Sequence, residues 1–192
     1  MEQQPRAGRN GLRVVVGVSG SLGSLGALHR AVAEARRLDA EVLALHAWEP
    51  PGGEFGYRRS PCPPLLSAVR AAAAQTLAEA MAEAFGGADP GVPVTATTVR
   101  GPAGPSLVAA ADRPGDLLVL GPSGSWFRRG LRASVGQSCV RPAHCPVLIV
   151  PRSELQVAFD ELSGHPFAAR ALEAELRELT RPVASARRST AQ

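Results

Sequence analysis

Apolar runs of four to eight residues alternate along this chain with stretches whose apolar residues recur every three or four positions, the rhythm of strands and amphipathic helices. Residues 13–18 read RVVVGV, a β-branched first strand. Behind it Leu25, Leu28, Val32 and Ala35 keep helical spacing, with Ser24 as the expected N-cap. Val42 to Trp48 forms a second apolar run, and Glu49 to Pro64 is so rich in proline and glycine that a long surface loop is expected. Beyond Pro63-Pro64, the positions Leu66, Val69, Ala73, Leu77, Met81 and Phe85 share one face of a long helix that Gly86-Gly87 ends. Val92 to Val99 gives a third strand, and a short helix opens at Pro105 and runs through Ala111. Asp116 to Gly121 is the fourth strand and Pro146 to Val150 the fifth.

Near-continuous apolar strands separated by helices predict a parallel sheet covered on both faces. The fold class is therefore α/β, a single doubly wound, five-stranded, Rossmann-like sandwich. In such sheets ligands bind beyond the carboxyl ends of the strands, where the strand order reverses. That rule directs attention to Ser19–Ser24, His46–Glu49 and Gly121 onward.

The pattern also divides the chain. Residues 1–12 and 181–192 read as polar tails around an α/β domain at 13–151 and a helical extension at 152–180. In the extension Ser153 and Gln156 form a capping-box pattern ahead of Leu155, Phe159 and Leu162. After a break at Ser163 to Pro166, Leu172, Leu176 and Leu179 line a second helix, with Glu173 and Arg177 paired four residues apart.

Composition narrows the function classes. With 45% hydrophobic and 20% charged residues in 192, the chain has the apolar surface that wholesale disorder lacks. No apolar run approaches the ~20 residues that span a bilayer, so the expectation is a soluble cytoplasmic protein without a membrane partner. The formal charge of +4 comes entirely from arginine, since the chain has no lysine. Between Asp116 and Glu154 lie Arg128, Arg129, Arg132, Arg141 and Arg152 with no carboxylate among them, a segment suited to anions. At 4% aromatics the stacking platforms of nucleic-acid binders are scarce, so a small phosphate ligand fits better than nucleic acid. Cys62, Cys139 and Cys145 are odd in number, which argues against a disulfide framework. Cys139, Cys145 and His144 lack metal-type spacing, and no metal site is expected.

Candidate chemistry lies in two loops. Ser19-Gly20-Ser21-Leu22-Gly23-Ser24 follows the first strand with small residues whose N–H groups suit an anion at a helix N-terminus. It matches neither the Gly-x-Gly-x-x-Gly fingerprint nor a Walker A loop nor a Gly-x-Ser-x-Gly elbow, and a ligand-free tight turn is the competing reading. The fourth strand is followed by Gly121-Pro122-Ser123-Gly124 and then by Ala133-Ser134-Val135. Arg128, Arg129 and Arg132 between them read either as a phosphate clamp or as a solvated face, and Trp48 and Trp126 either as packing residues or as platforms for a base.

With Val16-Gly17-Val18-Ser19-Gly20-Ser21, His46-Ala47-Trp48-Glu49-Pro50, Gly121-x-x-Gly124, Ser134 and Cys145-Pro146-Val147, residues 13–151 resemble the universal stress protein family. The resemblance implies a site for ATP or AMP, with any magnesium arriving on the nucleotide. It would be formed by Val18, Ser19, Gly20, Ala47, Gly121, Gly124, Ser125, Ala133, Ser134 and Val135. It also implies a homodimer made through the fifth strand. Three departures bear on the ligand: Ser19 stands where the family carries aspartate, the loop after Gly124 is one residue short, and Ala133 replaces a glycine. No general base beside a nucleophile can be read from either loop, so the expected function is a stress-response binding module and not an enzyme. Two alternatives stay open. One is an ATP-hydrolysing or ATP pyrophosphatase-related enzyme, which Ser19-Gly20-x-x-x-Ser24 faintly resembles; the other is a ligand-free structural dimer.

Overall fold

The computed structural model describes residues 11–122, 135–154 and 157. The chain divides into two units, Met1–Arg152 and Ser153–Gln192. In the first unit β1 (Arg13–Gly17), β2 (Glu41–Trp48), β3 (Val94–Arg100), β4 (Leu117–Leu120) and β5 (Val147–Ile149) form one all-parallel sheet in the order β3-β2-β1-β4-β5. The helices are α1 (Leu22–Leu38), α2 (Gly53–Arg59), α3 (Pro63–Phe85), α4 (Ala103–Ala110) and α5 (Val135–Val140). Of the second unit Ser153, Glu154 and Val157 are described, and the Val157 N–H donates to the Ser153 carbonyl at 3.0 Å, one helical turn where the capping-box pattern begins. The expected helices beyond it lie outside the described residues.

Alternation along the strands sends side chains to two separate cores. Val14, Val16 and Val18 join Val42, Ala44 and Val119 against Leu28, Val32 and Ala35 of α1 and Leu77 and Ala80 of α3. On the opposite face Val15, Leu45, Leu118 and Leu120 pack with Leu107 of α4 and Cys139 of α5. Both faces of the central strands are thus dry, which is why β1, β2 and β4 read as unbroken apolar runs.

Three elements differ from the sequence reading. The cap of α1 is Ser21, whose Oγ accepts from the Ser24 N–H at 3.3 Å, while the Ser24 hydroxyl is buried and donates to the Ser21 carbonyl at 2.8 Å. Gly20, at φ +76°, turns the chain a residue-pair earlier than hydrophobic spacing alone suggests. The supposed loop after β2 contains α2, seven residues confined by Pro50-Pro51 before and Pro61 after. Gly52 and Gly53, at φ +78° and +69°, provide the turn that starts it. Finally, α4 begins behind Pro102, so that Pro105 sits in its first turn, where its missing N–H costs nothing.

The lower, amino-terminal ends of β1 and β4 are fastened by one ion cluster. The Arg13 guanidinium donates from Nε to Asp116 Oδ1 at 3.0 Å and from Nη2 to Asp116 Oδ2 at 2.6 Å, and reaches Asp112 Oδ1 at 2.6 Å and the Ala110 carbonyl at 3.2 Å. The Asp116 side chain is only 1% exposed, and the Arg113 N–H supplies it with a further donor at 3.0 Å. The hydrogen bond from Arg13 holds the Asp112 carboxyl below its ordinary value, and Asp116 above all holds the proton on Arg13 more firmly. A lowered carboxylate stabilises the fold above its unfolded pKa, so the Asp112 contribution is present at neutral pH and fades as pH falls below about 3.8.

Breaking this cluster from one side strands a buried charge. Arg13→Met is expected to cost about 3–5 kcal/mol in urea unfolding, whereas Arg13→Met with Asp116→Leu recovers most of that loss. A single substitution as mild as the double one would show that the pair is not desolvated in solution.

Candidate functional site

β1 and β4 are neighbours in the sheet, yet the chain leaves β1 toward β2 and leaves β4 toward β5. By the general rule for open parallel sheets, this reversal point above the carboxyl ends of β1 and β4 is where a ligand crevice is expected. One wall is the β1–α1 loop. The Val18 N–H donates to the Leu45 carbonyl at 2.9 Å, continuing the ladder by one residue. His46 Nδ1 lies 2.8 Å from the Val18 carbonyl. A carbonyl only accepts, so Nδ1 carries a proton and donates. The loop then rises through Ser19 and Gly20 to Ser21, all exposed, with the two serine hydroxyls 3.0 Å apart. Gly20 needs its glycine twice over, for its positive φ and because a Cβ there would meet Thr76 of α3 at 3.2 Å.

The other wall begins at Gly121. A Cβ at this position would lie 2.5 Å from the Gly23 carbonyl oxygen and 3.2 Å from the Ser24 nitrogen, so the exit of β4 rests directly on the first turn of α1. The N–H groups of Leu22 and Gly23 in that turn have no acceptor further back along the helix, as at any helix start. Their partial positive charge and the hydroxyls of Ser19 and Ser21 make this end of the sheet a donor-rich mouth suited to an anion.

Sequence-predicted residues fall into place unevenly. Val18 is buried, Ser19 and Gly20 are exposed, and Gly121 is half-buried against α1; the first three leave β1 and the last leaves the neighbouring β4. Ala47 follows His46 on β2 but packs toward the α4 and α5 face, and Val135 opens α5 with its side chain exposed. Trp48 is the half-buried last residue of β2, its carbonyl accepting from the Gly101 N–H at 2.8 Å. Gly124, Ser125, Ala133 and Ser134, with Trp126, Arg128, Arg129 and Arg132, lie outside the described residues. Cys139 is buried and Cys145 half-buried, and desolvation pushes both thiols up, away from nucleophilic use at neutral pH. Among the described residues no three His, Cys, Asp or Glu side chains are grouped to hold a metal ion, and no helix is long and apolar enough to cross a membrane.

Sequence reasoning missed the part played by His46, which pins the β1–α1 loop, and by Thr76, which braces it from α3. It also missed Arg100 at the end of β3, which binds Glu54 of α2 through Nε to Oε1 and Nη2 to Oε2, the latter at 3.0 Å. The Arg100 guanidinium lies 4.8 Å from the centre of the Tyr57 ring. No spacing rule links β3 with a loop that was not expected to contain a helix.

The profile of the Universal stress protein family matches residues 12–151. The chain belongs to this family. Among solved structures, a universal stress protein in complex with cAMP is 28% identical and superposes with a TM-score of 0.54, covering 74% of this chain and 98% of that one. The universal stress protein UspA from Lactobacillus plantarum shares 23% identity and a TM-score of 0.58, covering 72% of this chain and 97% of its own. A universal stress protein from Archaeoglobus fulgidus, at 21% identity, 72% and 96% coverage and a TM-score of 0.50, has the same fold. No curated protein matches the chain. The family match thus lies within the first unit, Met1–Arg152, and ends at Pro151.

The contact of Gly121 with α1 is backbone on backbone, so neither partner can swing aside. Gly121→Ala is expected to destabilise the domain by about 1–3 kcal/mol and to displace the β1–α1 loop, visible as amide shifts at Ser19 to Ser24. Unchanged stability and shifts would mean that β4 ends before it reaches α1.

Proposed function

We propose that this universal stress protein is a non-enzymatic binding module for an adenine nucleotide, ATP or AMP, held at the crevice between β1 and β4. The observation that carries the reading is the close approach of Gly121, at the exit of β4, to the first turn of α1 at the reversal point of the sheet. The 28% identical relative with cAMP supports the same ligand class. The residues present fit such a ligand: Gly20 and Gly121 let the loop and the end of β4 pack closely on α3 and α1, and Ser19 and Ser21 supply hydroxyls. Bound there, the nucleotide would supply a phosphate chain and a base, and no reacting group. Val18, Ser19, Gly20 and Gly121 would hold it from this side, Ala47 would border the base, and Gly124, Ser125, Ala133, Ser134 and Val135 would complete the phosphate side. Any magnesium would arrive on the phosphates, since Ser19 brings no carboxylate to the loop.

Calorimetry with ATP, AMP, cAMP and adenosine tests the reading. ATP should bind more tightly than adenosine and weaken with added salt, because phosphates meet helix donors and arginines. Ser19→Asp together with Ala133→Gly, which restores both residues the family carries, should strengthen binding by about 1–3 kcal/mol. No heat and no nucleotide in the denatured protein after purification would leave the ligand-free reading standing, and steady phosphate release from ATP would favour the enzymatic one.

The same proposal includes a homodimer formed through β5. This strand pairs with β4 on one side only, and its Ile149 is 48% exposed, features that favour association along a sheet edge. Light scattering over a hundredfold dilution should give twice the 19.9 kDa chain mass, and Ile149→Pro, which removes a donor from the open edge while the N–H of Val150 keeps its bond to β4, should lower it to that of one chain. A mass of one chain at every concentration would refute the dimer.

A further inference from the structure

The helix after β2 is an unusual element, because none of its residues is buried. Phe55 is 73% exposed and is covered only by the Arg59 guanidinium of the same helix, 5.3 Å from its ring centre. A helix of seven residues with no apolar anchor is not stable alone. Its side-chain ties to the sheet converge on Arg100, which binds both carboxylate oxygens of Glu54 and lies over the Tyr57 ring. Glycines 52 and 53, both at positive φ, stand at one end of the helix, and Pro61 and Pro63 at the other. This is a short rigid segment between two turns, with one clamp.

Arg100 stands at the carboxyl end of the sheet, opposite Trp48 in the β2–β3 register, where Leu45 of β2 is level with Gly17 of β1. At ~3.3 Å per residue and ~4.8 Å between strands, its Cα lies roughly 14 Å from that of Gly17. The β1–α1 loop rises from Gly17 toward the same level, and an arginine side chain spans about half the remaining distance. Along β3, Arg100 falls on the face that carries Val94, the α1 and α3 side, as do His46 and Trp48 along β2 and Val18 beyond β1. The clamp is also half open to water, with Arg100 33% and Glu54 38% exposed. An ion pair so exposed is readily exchanged for another anion, and a carboxylate held in the fork of a guanidinium occupies the place a phosphate oxygen pair would take.

We infer that α2 is a latched lid, and that an anionic ligand at the carboxyl end of the sheet releases it by displacing Glu54 from Arg100. The inference rests on the nucleotide reading for the place of the ligand, while the latch itself stands on Arg100, Glu54 and Tyr57. In the closed state Glu54 neutralises the guanidinium and α2 lies against the end of β3. With phosphate on Arg100, Glu54 loses its partner, Tyr57 its cation, and the helix its reason to stay folded. Ligand occupancy thereby becomes a change in surface, since Phe55, Arg58 and Arg59 leave with the helix.

Hydrogen exchange of the full-length protein over residues 53–60 tests this, with ATP binding measured in parallel by calorimetry. Glu54→Gln, which keeps the shape and removes the charge, should raise exchange of this segment about threefold to tenfold at low salt. Saturating ATP, and separately inorganic tripolyphosphate, should produce a similar rise in the unaltered protein and none in Glu54→Gln. If ATP binds and exchange of the segment is unchanged or slower, the release is overturned while the nucleotide site stands. If ATP does not bind, the nucleotide reading fails and the latch is judged on Glu54→Gln alone, where unaltered exchange overturns it.

Discussion

The backbone of Gly121 sits so close to the Gly23 carbonyl that no side chain fits between them, and the crevice owes its form to this contact. It sets the height at which the chain leaves β4 relative to the start of α1. The Ser21 cap then determines where α1 begins, the Gly20 turn determines how the loop reaches that cap, and His46 and Thr76 hold the loop from β2 and α3. Each of these is a contact with backbone or with a short side chain, so the mouth is shaped by main chain more than by chemistry. Within that frame the Ser19 hydroxyl meets the Ser21 hydroxyl at 3.0 Å.

Much of the fold could be read from the sequence, and for a physical reason. The middles of β1, β2 and β4 are packed on both faces, so residues 14–16, 42–45 and 118–120 had to be apolar, and α1 had to carry a stripe at Leu25, Leu28, Val32 and Ala35 to cover them. What escaped was governed by geometry rather than by burial. The α1 cap at Ser21 and the start of α4 behind Pro102 depend on dihedral angles and backbone donors, to which hydrophobic spacing is blind. The helix α2 has no buried residue, so no hydrophobic pattern announced it, and its glycines and prolines looked like loop.

The candidate site divides in the same way. Val18, Ser19, Gly20 and Gly121 were found through their place after strands and through family resemblance, and they follow β1 and β4, the neighbouring strands at the reversal point. His46, Thr76 and Arg100 act across the sheet or between layers. Their partners are distant in sequence, as His46 is from Val18 and Arg100 from Glu54, and long-range pairs leave no local signature.

The ion cluster at the foot of β1 and β4 bears on how the domain is assembled in time. Arg13 and Asp116 are separated by 103 positions, whereas β1, α1, β2, α3 and β3 follow one another in order and occupy one side of the sheet. A chain emerging from the ribosome can therefore lay down the β1–β2–β3 half from short-range contacts while β4 is still being made. Through that interval the free edge of β1 and the unpaired Arg13 wait for Asp116. The arrival of β4 closes the edge, neutralises the guanidinium and brings Gly121 onto α1 in one step, so completion of the sheet and creation of the crevice are a single late event in synthesis.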